Sequence, residues 1–235
     1  MSDTRIRARL LSAASLVRQG ALFADIGTDH AYLPIFLLSE GKIDSAFATD
    51  INEGPLSKAS ENIREAGFCD RVELMLTDGA ASLSGRGITD YAICGMGGEL
   101  IADIIESAPH LYHSEVNLIL QPMTKEAHLR RFLYTSGFSV VSESYSYDAG
   151  KYYVTLLARY TGTPVSISDT EALLGKREAL HIGREEELGY FKSKLRSLKK
   201  TAEGKIRGGE DNPREIPLLA SVAERISELS HQILQ

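Results

Sequence analysis

Acidic residues and glycines follow successive strand-like runs in a regular order along the first third of the chain. The segment ALFADIGTDHAYLP places Asp25 and Gly27 at the end of one apolar run, directly before a helix-compatible stretch. Asp50 ends the next run, and Asp78 with Gly79 follows the third. In an open α/β sheet such positions share the edge at the carboxyl ends of the strands, where nucleotide-like ligands bind. The pattern therefore predicts one pocket built from several strand ends.

The first turn argues against a ligand that carries phosphate. A dinucleotide-binding turn needs G-x-G-x-x-G so that backbone can approach a pyrophosphate, but here Gly27 stands alone and Asp29 adds negative charge. We expect a ligand with a ribose, whose hydroxyl groups Asp50 can bind. S-adenosylmethionine fits, with an α-amino group for Asp25 and an adenine amine for Asp78. A plain βα turn that binds nothing is the alternative.

A second group of candidate residues follows the fourth and fifth strand-like runs. Gly95-Met96-Gly97-Gly98 leaves backbone bare where a flat ring could pack, although close packing of a helix on a strand is an alternative. Gln121 and Pro122 end the fifth run, and the glutamine amide could bind a base edge or cap a turn. His30, three residues past the first turn, could contact a ligand or serve only the helix start.

Composition and charge limit the class of protein. The 235 residues are 43% hydrophobic and 25% charged, which is typical of a globular protein. No apolar run reaches the ~20 residues that a membrane span needs. Two cysteines without metal-ligand spacing and six scattered histidines predict no metal site, and we expect a cytoplasmic protein. The net charge of −6 argues against sequence-blind binding of nucleic acid but allows a local basic face.

The order of segments predicts an α/β fold followed by helices. Residues 1–160 contain an amphipathic helix at 3–19, five βα units and a β-hairpin around 146–151, which together predict a seven-stranded Rossmann-like mixed sheet. If the sixth strand is parallel, the hairpin tip lies at the edge that carries the candidate site. Residues 161–235 show no strand pattern, and apolar residues at a/d spacing predict a coiled-coil hairpin of two helices.

Two basic segments are candidates for contact with RNA. The first includes Arg5, Arg7 and Arg9 in the N-terminal helix, and the second includes Lys199 and Lys200 in the first helix of the predicted coiled coil. Clustered lysine and arginine side chains can follow a phosphate backbone. A solvated helix face beside a coiled-coil seam would carry the same charges without RNA.

Nearly the whole chain resembles the bacterial tRNA (adenine(22)-N1)-methyltransferases, and the resemblance rests on the motifs DIGTDHAYLP, ATDINEGPL, TDGAAS, ICGMGGELI, LILQP and DAGKYY. It implies an N-terminal seven-stranded methyltransferase domain and a C-terminal coiled-coil domain. It also implies S-adenosylmethionine as cofactor and methyl transfer to N1 of adenine 22 in tRNA. Cofactor contacts would fall on Asp25, Gly27, Asp50, Asp78 and the turn from Gly95 to Gly98. We expect a monomer that binds tRNA.

Methyl transfer to adenine N1 depends on positioning more than on proton transfer, because unpaired N1 carries an in-plane lone pair. A carboxylate near the ring would stabilise the positive charge that develops. Asp29 is the candidate for this role and Tyr32 for stacking on or lining the base, since both lie just past Gly27. Two alternatives stay open: a methyltransferase for a small molecule or protein, and a non-enzymatic RNA-binding protein.

Overall fold

The computed structural model describes residues 6–210 and 213–234. Its centre is one eight-stranded sheet with the strand order β3-β2-β1-β4-β5-β7-β6-β8. Only β7 runs antiparallel to its neighbours. The strands are β1 (Phe23–Ile26), β2 (Ala46–Asp50), β3 (Val72–Leu76), β4 (Asp90–Gly97), β5 (Asn117–Thr124), β6 (Phe138–Asp148), β7 (Lys151–Tyr160) and β8 (Leu180–Ile182). The strand order reverses between β1 and β4, so the switch point that favours ligand binding lies at their carboxyl ends.

Helices cover both faces of the sheet. They are α1 (Ala8–Leu16), α2 (Tyr32–Ser39), α3 (Glu53–Ala66), α4 (Gly98–Glu106), α5 (Glu126–Thr135), α6 (Asp169–Leu174), α7 (Arg184–Arg207) and α8 (Glu215–Ile233). The buried apolar side chains of α1 and α2 form one cluster with Phe23 and Ala48. Those of α4, α5, α7 and α8 form a second cluster on the opposite face.

The predicted Rossmann-like mixed sheet is confirmed, with one strand more than the seven expected. β8 pairs in parallel with Ser142–Ser144 of β6, inside a segment where the sequence shows no strand pattern. Its side chains alternate, with His181 buried and both neighbours exposed. Three residues are too few for a period of two to stand out, which is why the sequence prediction missed this strand.

Several predicted boundaries shift. α1 is shorter than the helix predicted over residues 3–19, and residues 3–5 of that prediction lie outside the described residues. α2 starts at Tyr32 rather than His30, because His30 and Ala31 adopt left-handed backbone with φ of 66° and 57°. α3 begins at Glu53, and Pro55 is its third residue. β4 and β5 extend through the residues that were predicted to follow them.

The C-terminal helices pack on the sheet rather than standing apart. Tyr190 and Phe191 of α7 and Val222 and Leu229 of α8 are buried in the cluster that α4 and α5 share with the sheet. The two C-terminal helices therefore share one continuous core with the sheet. The division of the chain at residue 160 stays a prediction.

A fully buried ion pair links the two parts of the chain. Arg130 of α5 binds Glu143 of β6 through two hydrogen bonds of 2.7 and 2.8 Å. Its remaining donors reach the carbonyl groups of Ala172 and Leu173 at the end of α6. The Tyr145 hydroxyl completes the site by donating to Glu143 at 2.7 Å. Because every charge is hydrogen-bonded, the pair offsets much of its desolvation cost and fixes α6 against the sheet.

The helix α7 crosses the hairpin end of the sheet and then projects beyond it. Gly189 lies so close to Tyr152 of β7 that a Cβ there would overlap the ring. Five residues later, Lys194 donates to Glu126 at the start of α5 at 2.8 Å. The second half of α7 pairs with α8, with Lys205 bound to Glu215 at 3.0 Å. The projecting part therefore starts beside the carboxyl edge of the sheet.

Candidate active site

The strand register brings the predicted acidic residues to one edge. Asp25 of β1 lies level with Ala48 of β2, so Asp50 stands two positions nearer the edge. Asp50 pairs with Leu76 at the end of β3, and the exposed Asp78 follows two residues later. The carboxyl groups of Asp25 and Asp50 are close enough to raise the pKa of Asp25 through repulsion. One edge thus carries the three carboxylates.

Asp25 is the buried member of this set. Only 7% of the residue is exposed, and burial raises the pKa of its carboxyl to about 7. The Thr28 hydroxyl donates to it at 2.7 Å and Arg9 lies nearby, and both oppose that rise. Thr28 is itself fixed, because its backbone N–H donates to the Thr49 carbonyl at 2.7 Å. A carboxylate held in this way is expected to bind a cationic group strongly.

The turn after β1 requires glycine for two reasons. Gly27 has φ of +70°, which favours glycine. A Cβ at this position would also overlap the methyl group of Met96, which extends from the end of β4. The two segments therefore meet at the switch point of the sheet. A ligand could approach the backbone of Gly27 closely, and the flexible side chain of Met96 could change conformation to accommodate it.

The loop after Gly27 holds two of the predicted functional residues at the rim. The Asp29 side chain is 72% exposed, and its Oδ1 lies 3.0 Å from His30 Nε2. The His30 and Tyr32 rings lie 5.5 Å apart, and Tyr32 is 37% exposed. The left-handed backbone at His30 costs on the order of 1 kcal/mol, and the Asn62 amide holds it by donating to the His30 carbonyl at 2.9 Å. Strain of this kind clusters at functional sites.

His30 has one nitrogen that is still available. Its Nε2 lies 3.0 Å from Asp29 Oδ1, whereas Nδ1 is buried and has no hydrogen-bond partner among the described residues. A buried polar atom without a hydrogen bond destabilises the protein unless a further group forms a hydrogen bond with it. This atom is therefore a candidate contact for a ligand in the crevice.

Arg9 faces the sheet rather than solvent. Its Nη1 donates to Gln121 Oε1 at 3.0 Å, and its Nε lies 4.0 Å from Asp148 Oδ2 at the hairpin tip. The Gln121 amide nitrogen returns a hydrogen bond of 2.7 Å to the Arg9 carbonyl and donates to Thr155 at 3.0 Å. Gln121 is fully buried, so this amide binds the protein itself. A base contact by Gln121 would require these bonds to break and stays a prediction.

The glycines at the end of β4 and the start of α4 serve different purposes. Gly95 has φ of +82°, and a Cβ there would lie 3.7 Å from Arg9 Nη1. Gly98 is buried, and a Cβ would meet the Lys125 carbonyl oxygen at 2.5 Å. Close packing of α4 on the β5–α5 turn, the alternative given above, therefore accounts for Gly98. The half-buried Met96 and Gly97 lie at the edge of the crevice, where a ring could reach them.

The remaining predicted residues lie at the margin of the crevice or away from it. Gly79, with φ of +63°, packs near Ile104 of α4. Pro122 is buried inside β5. Arg7 is exposed at the start of α1, and Lys199 and Lys200 are exposed on the projecting half of α7. Arg5 lies outside the described residues.

Sequence reasoning missed the polar residues that hold the site together. The most important is Thr28, which is fully buried and binds Asp25. Thr155 accepts hydrogen bonds from both Ser12 and Gln121, at 3.2 and 3.0 Å. These partners are separated by up to 143 residues along the chain. The position of Thr28 inside the DIGTDH motif was the one local signal that could have found it.

The described residues give no group of three potential metal ligands, and none of their helices has the length and apolarity needed to cross a membrane. A cavity of about 240 Å³ lies apart from the crevice, between α6, β8 and α8. Lys176, Arg225 and Glu224 are among its lining residues. It contains none of the predicted site residues.

The fold and the edge of acidic and glycine residues define a methyltransferase. The methyltransferase domain family matches residues 6–156, and the chain belongs to that family. The tRNA (adenine(22)-N(1))-methyltransferase of Bacillus subtilis is 26% identical over 97% of this chain and 98% of its own length. The resemblance to these tRNA methyltransferases that the sequence motifs suggested is thereby confirmed.

Solved structures extend the likeness to the whole fold. A proposed tRNA (m1A22) methyltransferase of Streptococcus pneumoniae, solved in complex with S-adenosyl-L-methionine, is 30% identical with a TM-score of 0.77. The match covers 93% of this chain and 98% of that one. The B. subtilis M1A22 tRNA methyltransferase TrmK is 27% identical with a TM-score of 0.75, over 97% and 99% of the two chains. The likeness therefore includes the C-terminal helices.

Proposed function

We propose that this protein transfers a methyl group from S-adenosylmethionine to N1 of adenine 22 in tRNA. The observation that carries the proposal is the edge formed by Asp25, Gly27 and Asp50 at the switch point of a sheet whose relatives are named for this reaction. Each residue contributes a property that this cofactor needs: a buried negative charge, bare backbone and an accessible carboxylate. The absence of a glycine-rich phosphate turn agrees with a ligand that has no phosphate.

The residues at the edge fit the cofactor in size and polarity. Asp50 accepts a hydrogen bond from the Asn52 backbone at 2.7 Å through Oδ1, and its second oxygen has no hydrogen bond to the described residues. Ile51, the next residue in the chain, and Leu76, which pairs with Asp50 at the end of β3, are 63% and 55% exposed. A carboxylate between two exposed apolar side chains suits a ribose with an adjoining purine. S-adenosylmethionine supplies a methyl group on a positively charged sulfur.

The reaction requires the protein to align groups and exclude water. Adenine N1 attacks through its own lone pair, so the chain needs no strong base. Asp29 at the rim would stabilise the positive charge that forms on the base, and Tyr32 would support the ring. Their placement beside the strained backbone of His30 supports these roles.

The projecting half of α7 supports a large substrate. Lys199 and Lys200 are exposed and lie one to two helical turns beyond Lys194, which contacts the start of α5 at the carboxyl edge. A tRNA that presents its adenine to the crevice would therefore meet these charges. Double-stranded RNA is recognised mainly through shape and phosphate contacts, which suits a basic arm.

Mass spectrometry of tRNA nucleosides after incubation with protein and S-adenosylmethionine tests the proposal. We expect 1-methyladenosine in an unmodified tRNA transcript that carries adenine at position 22, and none in a matched transcript with guanine there. Asp50→Ala serves as the control that lowers cofactor binding. Transfer of the methyl group only to a protein or small molecule, or no binding of the cofactor, would contradict the proposal.

A further inference from the structure

The charge of Arg9 makes it a candidate for contact with RNA, but its side chain lies among residues of the crevice. The side chain is only 16% exposed, and it contacts residues at the ends of three strands. Gln121 of β5 accepts from Nη1, Asp148 of β6 lies near Nε, and Gly95 of β4 lies beside Nη1. Within the described part of the chain, Nη2 has no hydrogen-bond partner. A phosphate contact on the surface would not need such a scaffold.

The charged group that Arg9 serves is Asp25. The guanidinium lies close enough to attract the Asp25 carboxylate, and the Cys94 thiol lies near both groups. Asp29 from the following loop and Asp50 from β2 oppose the ionisation of Asp25, as does burial. Arg9 on α1 thus attracts the Asp25 carboxylate, whereas Asp29 and Asp50 repel it and the Cys94 thiol lies nearby.

We infer that Arg9 is a positioning residue of the cofactor crevice, held by Gln121 beside the end of β4, where it acts together with Asp25 in binding the amino-acid end of S-adenosylmethionine. The inference rests on the proposed function. An α-ammonium group can donate to Asp25, while Nη2 of Arg9 can donate to a carboxylate. The two side chains form a charge pair that complements a zwitterion, and α1 becomes part of the cofactor site.

The pH dependence of ligand binding follows from this arrangement. The pKa of Asp25 is about 7 in the free protein, so the affinity for an ammonium group should fall below that pH. Loss of Arg9 removes an attraction that favours the carboxylate, so the pKa of Asp25 should rise further. The midpoint of the binding curve should therefore move to higher pH.

Calorimetric titration with S-adenosylhomocysteine from pH 6 to 9 tests the inference. For Arg9→Gln we expect affinity at pH 7.5 to fall by about tenfold or more and the midpoint to rise by about one pH unit. Arg9→Lys should restore part of both. The matched control is Arg64→Gln, which alters an exposed arginine in the last turn of α3 and should leave both quantities unchanged.

A second ligand separates positioning from general damage. Methylthioadenosine has the adenine, ribose and sulfur but no amino-acid end, so Arg9→Gln should bind it within about twofold of the wild-type affinity. Equal losses for both ligands, or a wild-type pH profile in Arg9→Gln, would overturn the inference. Failure of the wild-type protein to bind S-adenosylhomocysteine would instead contradict the proposed function.

Discussion

The buried carboxyl group of Asp25 predicts that the free protein loses stability as the pH rises. The group has a pKa of about 7 in the folded protein against an ordinary value of 3.8, so between these pH values the folded state binds more protons than the unfolded state. Stability then falls with rising pH until the folded group is ionised, near pH 8. Asp25→Asn removes this titration and keeps an oxygen to accept the Thr28 hydroxyl.

The size of the effect follows from the pKa. Between pH 5.5 and 8.5 the carboxyl group of the folded protein loses its proton, whereas the group in the unfolded chain is ionised throughout. The range from pH 5.5 to the folded pKa is about 1.5 pH units, which corresponds to a loss of about 2 kcal/mol in the free energy of unfolding. Wild-type protein should lose about that much stability relative to Asp25→Asn over this range. For a chain of this length it corresponds to roughly 4–8 °C in melting temperature.

Urea unfolding of the free protein at pH 5.5, 7.0 and 8.5 measures this difference. The exposed Asp78 at the same edge provides a matched control, because Asp78→Asn changes a carboxyl group that loses little hydration on folding. Its stability should follow that of the wild type at every pH. Parallel curves for wild type and Asp25→Asn would refute the raised pKa and the role of burial in it.

Four further predictions test other parts of the structure. Asp29→Ala should lower turnover far more than cofactor affinity in a comparison of kinetics with calorimetry, and equal losses would count against its role beside the base. Gly27→Ala forces a side chain into left-handed backbone against a methionine methyl, so we expect at least tenfold weaker cofactor binding and a stability loss on the order of 1–2 kcal/mol. Glu143→Gln should cost about 3–5 kcal/mol in urea unfolding, because a buried arginine loses its charged partner; a loss within experimental error would show that the pair is dispensable. Charge reversal at Lys199 and Lys200 should weaken tRNA binding and flatten its salt dependence, whereas unchanged binding over a salt series would leave this helix face as packing only.

The sequence predicted those parts of the site that depend on local order. Strand-like runs that each end in Asp25, Asp50 or Asp78 lie at one edge because parallel strands share their direction, and this needs no knowledge of packing. The hairpin period likewise gave β6 and β7 and placed their tip at the same edge. These features depend on residues that are neighbours in the chain.

The features that the sequence did not reveal depend on distant or unusual contacts. Arg9 and Gln121 are 112 residues apart, and charge alone favoured an RNA contact for Arg9. The left-handed pair at His30 and Ala31 looks like the start of a helix in the sequence, because residues other than glycine seldom adopt that backbone. In both cases tertiary contacts outweigh the local preference.

The single helix α7 has a consequence for how far the enzyme can reach. From Lys194 to Arg207 it extends roughly 20 Å beyond its contact with α5. Its base is anchored by the buried groups around Tyr190 and its far half is braced by α8. If tRNA binds the exposed far half of α7 as proposed, the length of this helix would influence which nucleotide arrives at the methyl donor.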